Sequence, residues 1–165
     1  MPSSSRGAEA SAKRLRRATQ DSLRLLRYRM RSRRELAERL RRRGYEPDVI
    51  EQVLAQLRAW EYLDDAAFAK WWTESRLKGG SSFVRIRHEL RQKGIPEPMI
   101  LDTFKAFHDV YDEHDQAAQL VQHRLPRWRG LPPPAVRRRL AGYLSRRGFS
   151  SETIGSVLQS LLHTE

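Results

Sequence analysis

Arginine and lysine are the residues of this sequence whose types and spacing most suggest chemistry. They recur in three clusters, and each cluster ends where a basic residue is followed by a glycine. A guanidinium group can form two parallel hydrogen bonds with a phosphate or a carboxylate group, so arginine clusters are typical of surfaces that bind anions. The residues predicted to point outward and contact an anionic partner are Arg33, Arg34, Arg41, Arg42, Arg43, Arg85, Arg87, Arg91, Lys93, Arg137, Arg138, Arg146 and Arg147.

Part of this pattern has a purely structural explanation. A cation in the last turn of a helix is favoured by the helix dipole by about 0.3–1 kcal/mol, which accounts for Arg43, Lys93 and Arg147 without a ligand. A run of charges is also usually a solvated face. The charge is segregated, however: residues 1–44 hold 15 basic and 4 acidic residues, whereas residues 45–75 hold 2 and 7. Because helix dipoles do not produce such an alternation along the whole chain, we favour a functional basic surface.

The other residue types that could do chemistry form no site. The five histidines follow no metal-binding pattern, and the chain has no cysteine. His108 and Asp112 lie four residues apart, but two ligands do not make a metal site. The acidic pair Asp64 and Asp65 fits the N-terminus of a helix better than a catalytic dyad. The sequence therefore predicts no catalytic residue, no cofactor and no metal.

The basic clusters occupy the same place in an internal repeat. Residues 36–54, 86–104 and 140–158 align without a gap, and apolar residues recur in each copy at helical spacing. Each copy therefore contains two helices, and the glycine between them is predicted to end the first helix in left-handed geometry. A capping box of Ser32 and Glu35 marks the start of the first copy. The three repeat glycines are Gly44, Gly94 and Gly148.

A further amphipathic helix precedes each pair, over residues 22–30, 65–77 and 113–125. The sequence thus predicts an all-α fold with nine helices, arranged as three tandem three-helix repeats in an elongated array that can curve. The predicted domains are a basic, disordered N-terminal tail over 1–19 and three-helix repeats over 20–60, 61–110 and 111–165.

Composition also predicts the compartment and the kind of partner. The absence of cysteine, the short apolar runs and an N-terminus without an apolar core are typical of a cytoplasmic protein that does not enter a membrane. The net charge of +12 predicts an anionic partner, either nucleic acid or an acidic protein surface. We expect the protein to be a monomer.

Four short motifs carry a more specific signal. They are S-R-x-E-L-x-x-x-L-x-x-[KR]-G from residue 32, YLDD-x-x-F from residue 62, SRL at 75–77, and R-x-x-L-x-x-K-G-I from residue 87. In this combination the chain resembles the RecX family of bacterial regulators of the RecA recombinase. The resemblance is dense from about residue 20 to 110, and in the third repeat only the glycine–aromatic corner and the helical stripe persist.

This resemblance implies an all-α protein of tandem three-helix repeats that binds RecA assembled on single-stranded DNA. Such proteins lodge along the filament groove, where they block filament growth or promote net disassembly. ATP hydrolysis, strand exchange and co-protease activity then fall. The resemblance therefore implies restraint of recombinational DNA repair and of the SOS response, without enzymatic activity.

Two other functions are open on the sequence alone. A stand-alone nucleic-acid-binding module is one, because two short helices joined at a glycine resemble a helix-turn-helix. Against it, the helix after the glycine, which would read the DNA, is acidic or neutral in all three copies. A structural adaptor with an acidic protein partner is the other. A filament regulator should bind RecA–DNA more tightly than either component, and bind nucleic acid alone only weakly.

Overall fold

Nine α-helices make up the secondary structure of the described residues, and this confirms the predicted all-α fold class. The structure is a computed structural model that describes the backbone of residues 3–162 and the side chains of residues 7–160. No strand occurs over residues 3–162, and two 3₁₀ turns lie at His108–Val110 and Leu125–Trp128. The helices are α1 (Ser3–Tyr28), α2 (Arg33–Arg42), α3 (Pro47–Ala59), α4 (Asp65–Lys78), α5 (Phe83–Gln92), α6 (Glu97–Lys105), α7 (Glu113–Arg124), α8 (Pro133–Arg146) and α9 (Ser151–Leu162).

Helix α1 runs through most of the segment predicted to be a disordered tail, residues 1–19. The helix begins at Ser3. Its Ala18 is fully buried in a hydrophobic core that it shares with α2 and α3, and Leu15 packs against the same core. The apolar stripe of the predicted helix at 22–30 thus continues toward the N-terminus at helical spacing, and this burial stabilises the extra turns. Residues 1 and 2 of the predicted tail lie outside the described part of the chain.

The chain divides into two compact units, of which the first takes in the described residues up to 69 together with residues 92–96. Its core is formed where α1, α2 and α3 pack together. Leu36, Leu40, Val53 and Leu57 are fully buried there, and burial of each such side chain contributes about 1.5–3 kcal/mol. All four lie on the helical faces that the apolar spacing of the repeat predicts to be buried.

The second unit takes in residues 70–91 and the described residues from 97 onward. Helices α7, α8 and α9 pack around Val121, Leu140, Leu144 and Val157. The boundaries predicted for the three repeats remain a prediction, because the division into units follows compactness and not the repeat. Over the described residues, no helix is long and apolar enough to span a membrane.

The glycine corners that end α2, α5 and α8 share one backbone conformation. Gly44, Gly94 and Gly148 have φ values of 83°, 79° and 88°, a region that favours glycine because it has no Cβ. At the first corner the Gly44 and Tyr45 N–H groups donate to the carbonyls of Arg41 and Leu40, at 3.0 and 3.3 Å. The third corner repeats both bonds. These are the bonds of a Schellman motif, which satisfies carbonyls left free at the end of a helix.

Polar caps fix the starts of two helices that carry basic or acidic motifs. Ser32 Oγ accepts a hydrogen bond from the Glu35 N–H, and the Glu35 carboxylate accepts one from the Ser32 N–H, which completes the predicted capping box. Asp64 accepts from the N–H groups of Ala66 and Ala67 at 2.8 and 3.0 Å. Asp64 is therefore a helix cap.

Candidate partner-binding surface

Most of the basic residues predicted to contact a partner are bound to acids of the chain itself. On α5, Arg87 and Arg91 both bond to Glu97, the first residue of α6. The Arg91 Nε lies 2.6 Å from one carboxylate oxygen, and the Arg87 Nε lies 2.5 Å from the other. The two guanidinium groups outweigh the small effect of burial and lower the pKa of Glu97. A single carboxylate of the same unit therefore engages both guanidinium groups and offsets one of their two positive charges.

Arg85 belongs to a tighter cluster around Glu89. Burial would raise the pKa of Glu89, but hydrogen bonds from Arg76, Arg85 and Trp72 outweigh it, and the pKa is lowered. The Trp72 indole N–H donates at 3.0 Å, Arg76 binds both carboxylate oxygens, and the Arg85 Nε donates at 3.0 Å. Arg85 also donates to the Arg146 carbonyl. Its guanidinium group is therefore occupied in holding the second unit together.

Lys93 and Glu35 form the corresponding cluster in the first unit. The Lys93 Nζ lies 2.6 Å from Glu35, and Arg29 binds both oxygens of the same carboxylate at 3.1 Å. Burial acts to raise the pKa of Glu35, but the bonds and charges of these two cations lower it to about 2. The Lys93 side chain is only 17% exposed, so it is a structural cation.

The remaining predicted residues near the helix ends are also engaged. Arg33 pairs with Glu51, Arg34 pairs with Glu38 at 3.1 Å, and Arg43 pairs with Asp21 at 2.8 Å. Arg147 donates to the Gly79 carbonyl and lies 4.7 Å from the centroid of the Tyr143 ring. The first three are surface pairs of small individual worth, so their guanidinium groups can exchange partners.

Five of the predicted cations are left for a partner. Arg41 and Arg42 on α2, and Arg137, Arg138 and Arg146 on α8, are exposed, and their side chains make no ion pair within residues 7–160. Each unit of the structure carries some of them. Fewer of the predicted residues are thus available to a partner than the pattern in the sequence indicates, and these five lie on α2 and α8.

Sequence reasoning missed a set of basic residues on α1. Arg14, Arg17 and Arg24 line a cavity of about 620 Å³ beside the first glycine corner, together with Arg43. Arg14 and Arg17 were missed because residues 1–19 were assigned to a tail, and Arg24 was missed because it lies outside the repeated segment. The signal was present, since these arginines are spaced by three and seven residues and therefore share one face of a helix that buries Ala18 on another.

The described residues offer anion binding and little other chemistry. No group of three or more His, Cys, Asp or Glu side chains that could hold a metal ion occurs among them. His108 and Asp112, the pair four residues apart, both border one acidic cavity of about 790 Å³ in the second unit. The exposed guanidinium groups can bind phosphate or carboxylate oxygens by charge-assisted hydrogen bonds.

Comparison with protein families matches all three parts of the repeat. Residues 18–57 match the family model described as RecX, first three-helix domain. Residues 64–102 match the second three-helix domain, and residues 111–158 match the third. Together these matches cover most of the chain, including the third repeat, where the motif resemblance was loosest.

Curated relatives carry the same family name. The chain is 38% identical to the regulatory protein RecX of Streptomyces coelicolor over 144 residues, which covers 87% of this chain and 76% of that protein. It is 40% identical to the regulatory protein RecX of Mycobacterium avium over 145 residues, covering 87% of this chain and 83% of the relative.

Two solved structures resemble the fold. One, titled as the crystal structure of regulatory protein RecX, has a TM-score of 0.79 at 26% identity and covers 95% of this chain and 79% of its own. The other is RecX from Lactobacillus salivarius, with a TM-score of 0.73 at 20% identity, covering 91% and 97%. The second supports the fold alone.

Proposed function

Because this chain belongs to the RecX family, we propose that it is a non-catalytic regulator that binds RecA and RecA–single-stranded DNA filaments. It mainly inhibits filament growth, and with it the ATPase, strand-exchange and co-protease activities of RecA. The consequence in the cell is restraint of recombinational repair and of the SOS response. The observation that carries the proposal is the match of all three repeats to the three domains of this regulatory family.

The unpaired arginines of α2 and α8 supply the contact chemistry in this proposal. Arg41 and Arg42 lie in the first unit, and Arg137, Arg138 and Arg146 lie in the second, all exposed. A filament repeats both its protein surface and its phosphate backbone, so a chain with cations on both units can make more than one contact. Linked contacts of modest strength raise overall binding well above that of either contact alone.

The paired arginines serve a different purpose in the same proposal. The cations bound to Glu35, Glu89 and Glu97 hold helices in place. They preorganise the surface and are not its contact groups. A rigid presentation reduces the entropy lost on binding, because fewer side chains and loops have to be ordered at the interface.

The experiment that tests the function measures RecA's single-strand-dependent ATP hydrolysis with increasing amounts of this protein, across a titration of salt. We expect inhibition at low salt that weakens steeply as salt rises, because contacts made by cations release counterions. A matched reaction without DNA controls for effects on RecA alone. Full ATPase activity at every protein concentration and every salt concentration would refute the proposal.

The second candidate is a stand-alone nucleic-acid-binding module, which the unpaired arginines of α8 favour. The helices that follow the glycine corners oppose it, because their first turns carry Asp48, Glu97 and Glu152, which repel phosphate from the place where a recognition helix would read the groove. The two functions separate in one binding assay. A module of this kind binds free single-stranded DNA as tightly as the RecA-coated strand, whereas a filament regulator prefers the coated strand.

A further inference from the structure

The first glycine corner, formed by Arg43, Gly44 and Tyr45, is an uncovered copy of a surface that the chain covers twice elsewhere. At the second corner, the Ser32 hydroxyl donates to the Lys93 carbonyl at 2.7 Å, and Glu35 in the first turn of α2 pairs with the Lys93 Nζ at 2.6 Å. That corner therefore receives the capped, acidic start of a helix.

The third corner is also covered by the serine-capped start of a helix, but α5 has no acidic residue in its first turn. The Ser82 hydroxyl donates to the Gly148 carbonyl at 2.6 Å, and the Ser82 N–H donates to the Arg147 carbonyl at 3.0 Å. Ser82 precedes α5 just as Ser32 precedes α2. Two of the three corners thus bind the serine-capped N-terminus of a helix through backbone carbonyls. The serine hydroxyl donates to the carbonyl of the residue before the glycine at the second corner and to the carbonyl of the glycine itself at the third.

The space beside the glycine is empty at the first corner, whereas side chains fill it at the second and third corners. A Cβ built on Gly94 would lie 2.7 Å from the Arg34 side chain, and a Cβ on Gly148 would lie 2.7 Å from Arg85. A Cβ on Gly44 would meet nothing within 4 Å. Among the described residues, no donor reaches the carbonyls of Arg43 or Gly44, the two acceptors that the covered corners use.

The charge around the open corner defines what fits it. Arg43 stands at the position of Lys93, the cation that takes the helix's first-turn acid at the second corner. In this structure Asp21 supplies the carboxylate, 2.8 Å from the Arg43 Nη1, and it also accepts the Tyr45 hydroxyl at 2.8 Å. Arg14, Arg17 and Arg24 line the adjoining cavity of about 620 Å³ together with Glu46. With Arg43 and Asp21, the site therefore holds four arginines and two carboxylates, and its net charge is positive.

We infer that this corner binds the N-terminal turn of a helix on the protein partner, a turn with a serine or threonine cap and an acidic residue three positions later. The hydroxyl would donate to a corner carbonyl, and the acid would pair with Arg43 and its neighbouring arginines. The inference rests on the proposed function for the identity of the partner as the regulated protein. Both covered corners support the serine or threonine cap, and the second corner supports the acid.

A second copy of this chain does not supply that turn. The starts of α2 and α5 are already bound at the second and third corners. In the third repeat the position of Ser32 and Ser82 is taken by Val136, and α8 begins a turn earlier after Pro132, which has neither a hydroxyl nor an N–H to donate. The remaining serine-capped start, Ser150 before α9, has Thr153 and not an acid three positions later, and its hydroxyl donates to the Thr153 hydroxyl.

The test uses the full chain and two synthetic helical peptides that differ only in the first turn, one beginning Ser-Pro-Glu-Glu and the other Ala-Pro-Gln-Gln. A labelled oligodeoxythymidylate is the third probe. We expect the capped peptide to bind about tenfold more tightly than the uncapped one and to shift the amide resonances of Arg43 to Tyr45. Equal binding of the two peptides, or shifts elsewhere only, would overturn the inference.

A matched pair of variants locates the site. Replacing Arg14, Arg17 and Arg43 by Gln should weaken the capped peptide about tenfold, whereas replacing the exposed Lys13, Arg16 and Arg58 by Gln should change it less than about twofold. Equal losses would contradict the inference. If neither peptide binds the unchanged protein, and the variant of Arg14, Arg17 and Arg43 loses binding of the oligonucleotide, the corner is a nucleic-acid site and the inference is wrong. Because the peptides bind without RecA, this outcome is independent of the ATPase assay for the proposed function.

Discussion

Helices α5 and α8 lie in the same unit, and each carries a row of arginines along its length. On α5, the arginines are bound to Glu89 and Glu97, and one of them also bonds to a backbone carbonyl. On α8, Arg137, Arg138 and Arg146 make no ion pair within the described side chains. The two helices occupy the same position in the repeat, yet one contributes its charge to the fold and the other presents it to solvent.

The difference follows from where the acids lie. Residues 76–95 contain Glu89 on α5 itself, and Glu97 follows at the start of α6. Residues 124–147 contain eight basic residues and no acid. Counting the basic residues of a segment therefore overestimates the positive charge available to a partner wherever an acidic residue one or two helical turns away pairs with them. The available charge is what remains after the chain has paired its own groups.

The largest effect should follow removal of the acid that holds the α5 cations. Glu89→Gln leaves Arg76, Arg85 and Trp72 without a carboxylate acceptor in a half-buried site, and we expect a loss of about 2–3 kcal/mol in the free energy of unfolding. Urea denaturation followed by circular dichroism measures it. The matched change Glu97→Gln, at an acid whose side chain is 31% exposed against 14% for Glu89 and which also accepts from two arginines, should cost less. An equal loss in both variants would contradict the structural role assigned to the Glu89 cluster.

The next prediction concerns the Glu35 cluster of the first unit, whose contribution to the free energy of unfolding depends on pH. The folded pKa of Glu35 is about 2, below its ordinary value of 4.5, so its ion pairs stabilise the fold fully above about pH 4.5 and lose that contribution as pH falls toward 2. Glu35→Gln should therefore lower the free energy of unfolding by about 2 kcal/mol at pH 7 and by little near pH 2. Urea midpoints of both proteins across pH 2–7 check this. A difference that does not vary with pH would show that the charge of Glu35 is not what matters.

The smallest effect is the difference in stability between alanine substitutions at the covered third corner and at the open first corner. An alanine at either Gly44 or Gly148 is strained by its positive φ, but at Gly148 its Cβ would also lie 2.7 Å from Arg85 Cβ and Ser82 Oγ. Gly148→Ala should therefore destabilise the protein by about 1–2 kcal/mol more than Gly44→Ala. Thermal or urea unfolding of the two variants measures the difference. Equal costs would mean that contact with the start of α5 adds nothing to the third corner.

The helices could be predicted from the sequence because their signals are local. The predicted span of α4, residues 65–77, ends one residue before the observed Lys78, and the predicted span of α7, residues 113–125, ends one residue after Arg124. In both cases an aspartate immediately before the helix caps its first turn. Apolar spacing and caps act within one or two turns, so a single pass along the chain can find them.

The pairing of Lys93 and the contacts at the covered corners could not be predicted, because they join residues that are distant in the sequence. The Ser32 hydroxyl meets a carbonyl 61 residues away, and the Ser82 hydroxyl meets one 66 residues away. Lys93 is 58 residues from Glu35. No local pattern distinguishes Lys93, which is structural, from Arg41, which is unpaired and exposed. The length of α1 was missed for the same reason, since its N-terminal turns depend on burial of Ala18 against other helices.

The central claim is that the α8 arginines contact the RecA filament while the α5 arginines stabilise the fold. The direct measurement compares two double variants, Arg137→Gln with Arg138→Gln, and Arg87→Gln with Arg91→Gln, as inhibitors of RecA's single-strand-dependent ATPase. Both remove the same charge. We expect the α8 variant to require about tenfold more protein for half inhibition and the α5 variant less than about twofold more, each verified as folded by circular dichroism. Equal losses in the two variants, or a larger loss in the α5 variant, would contradict the account.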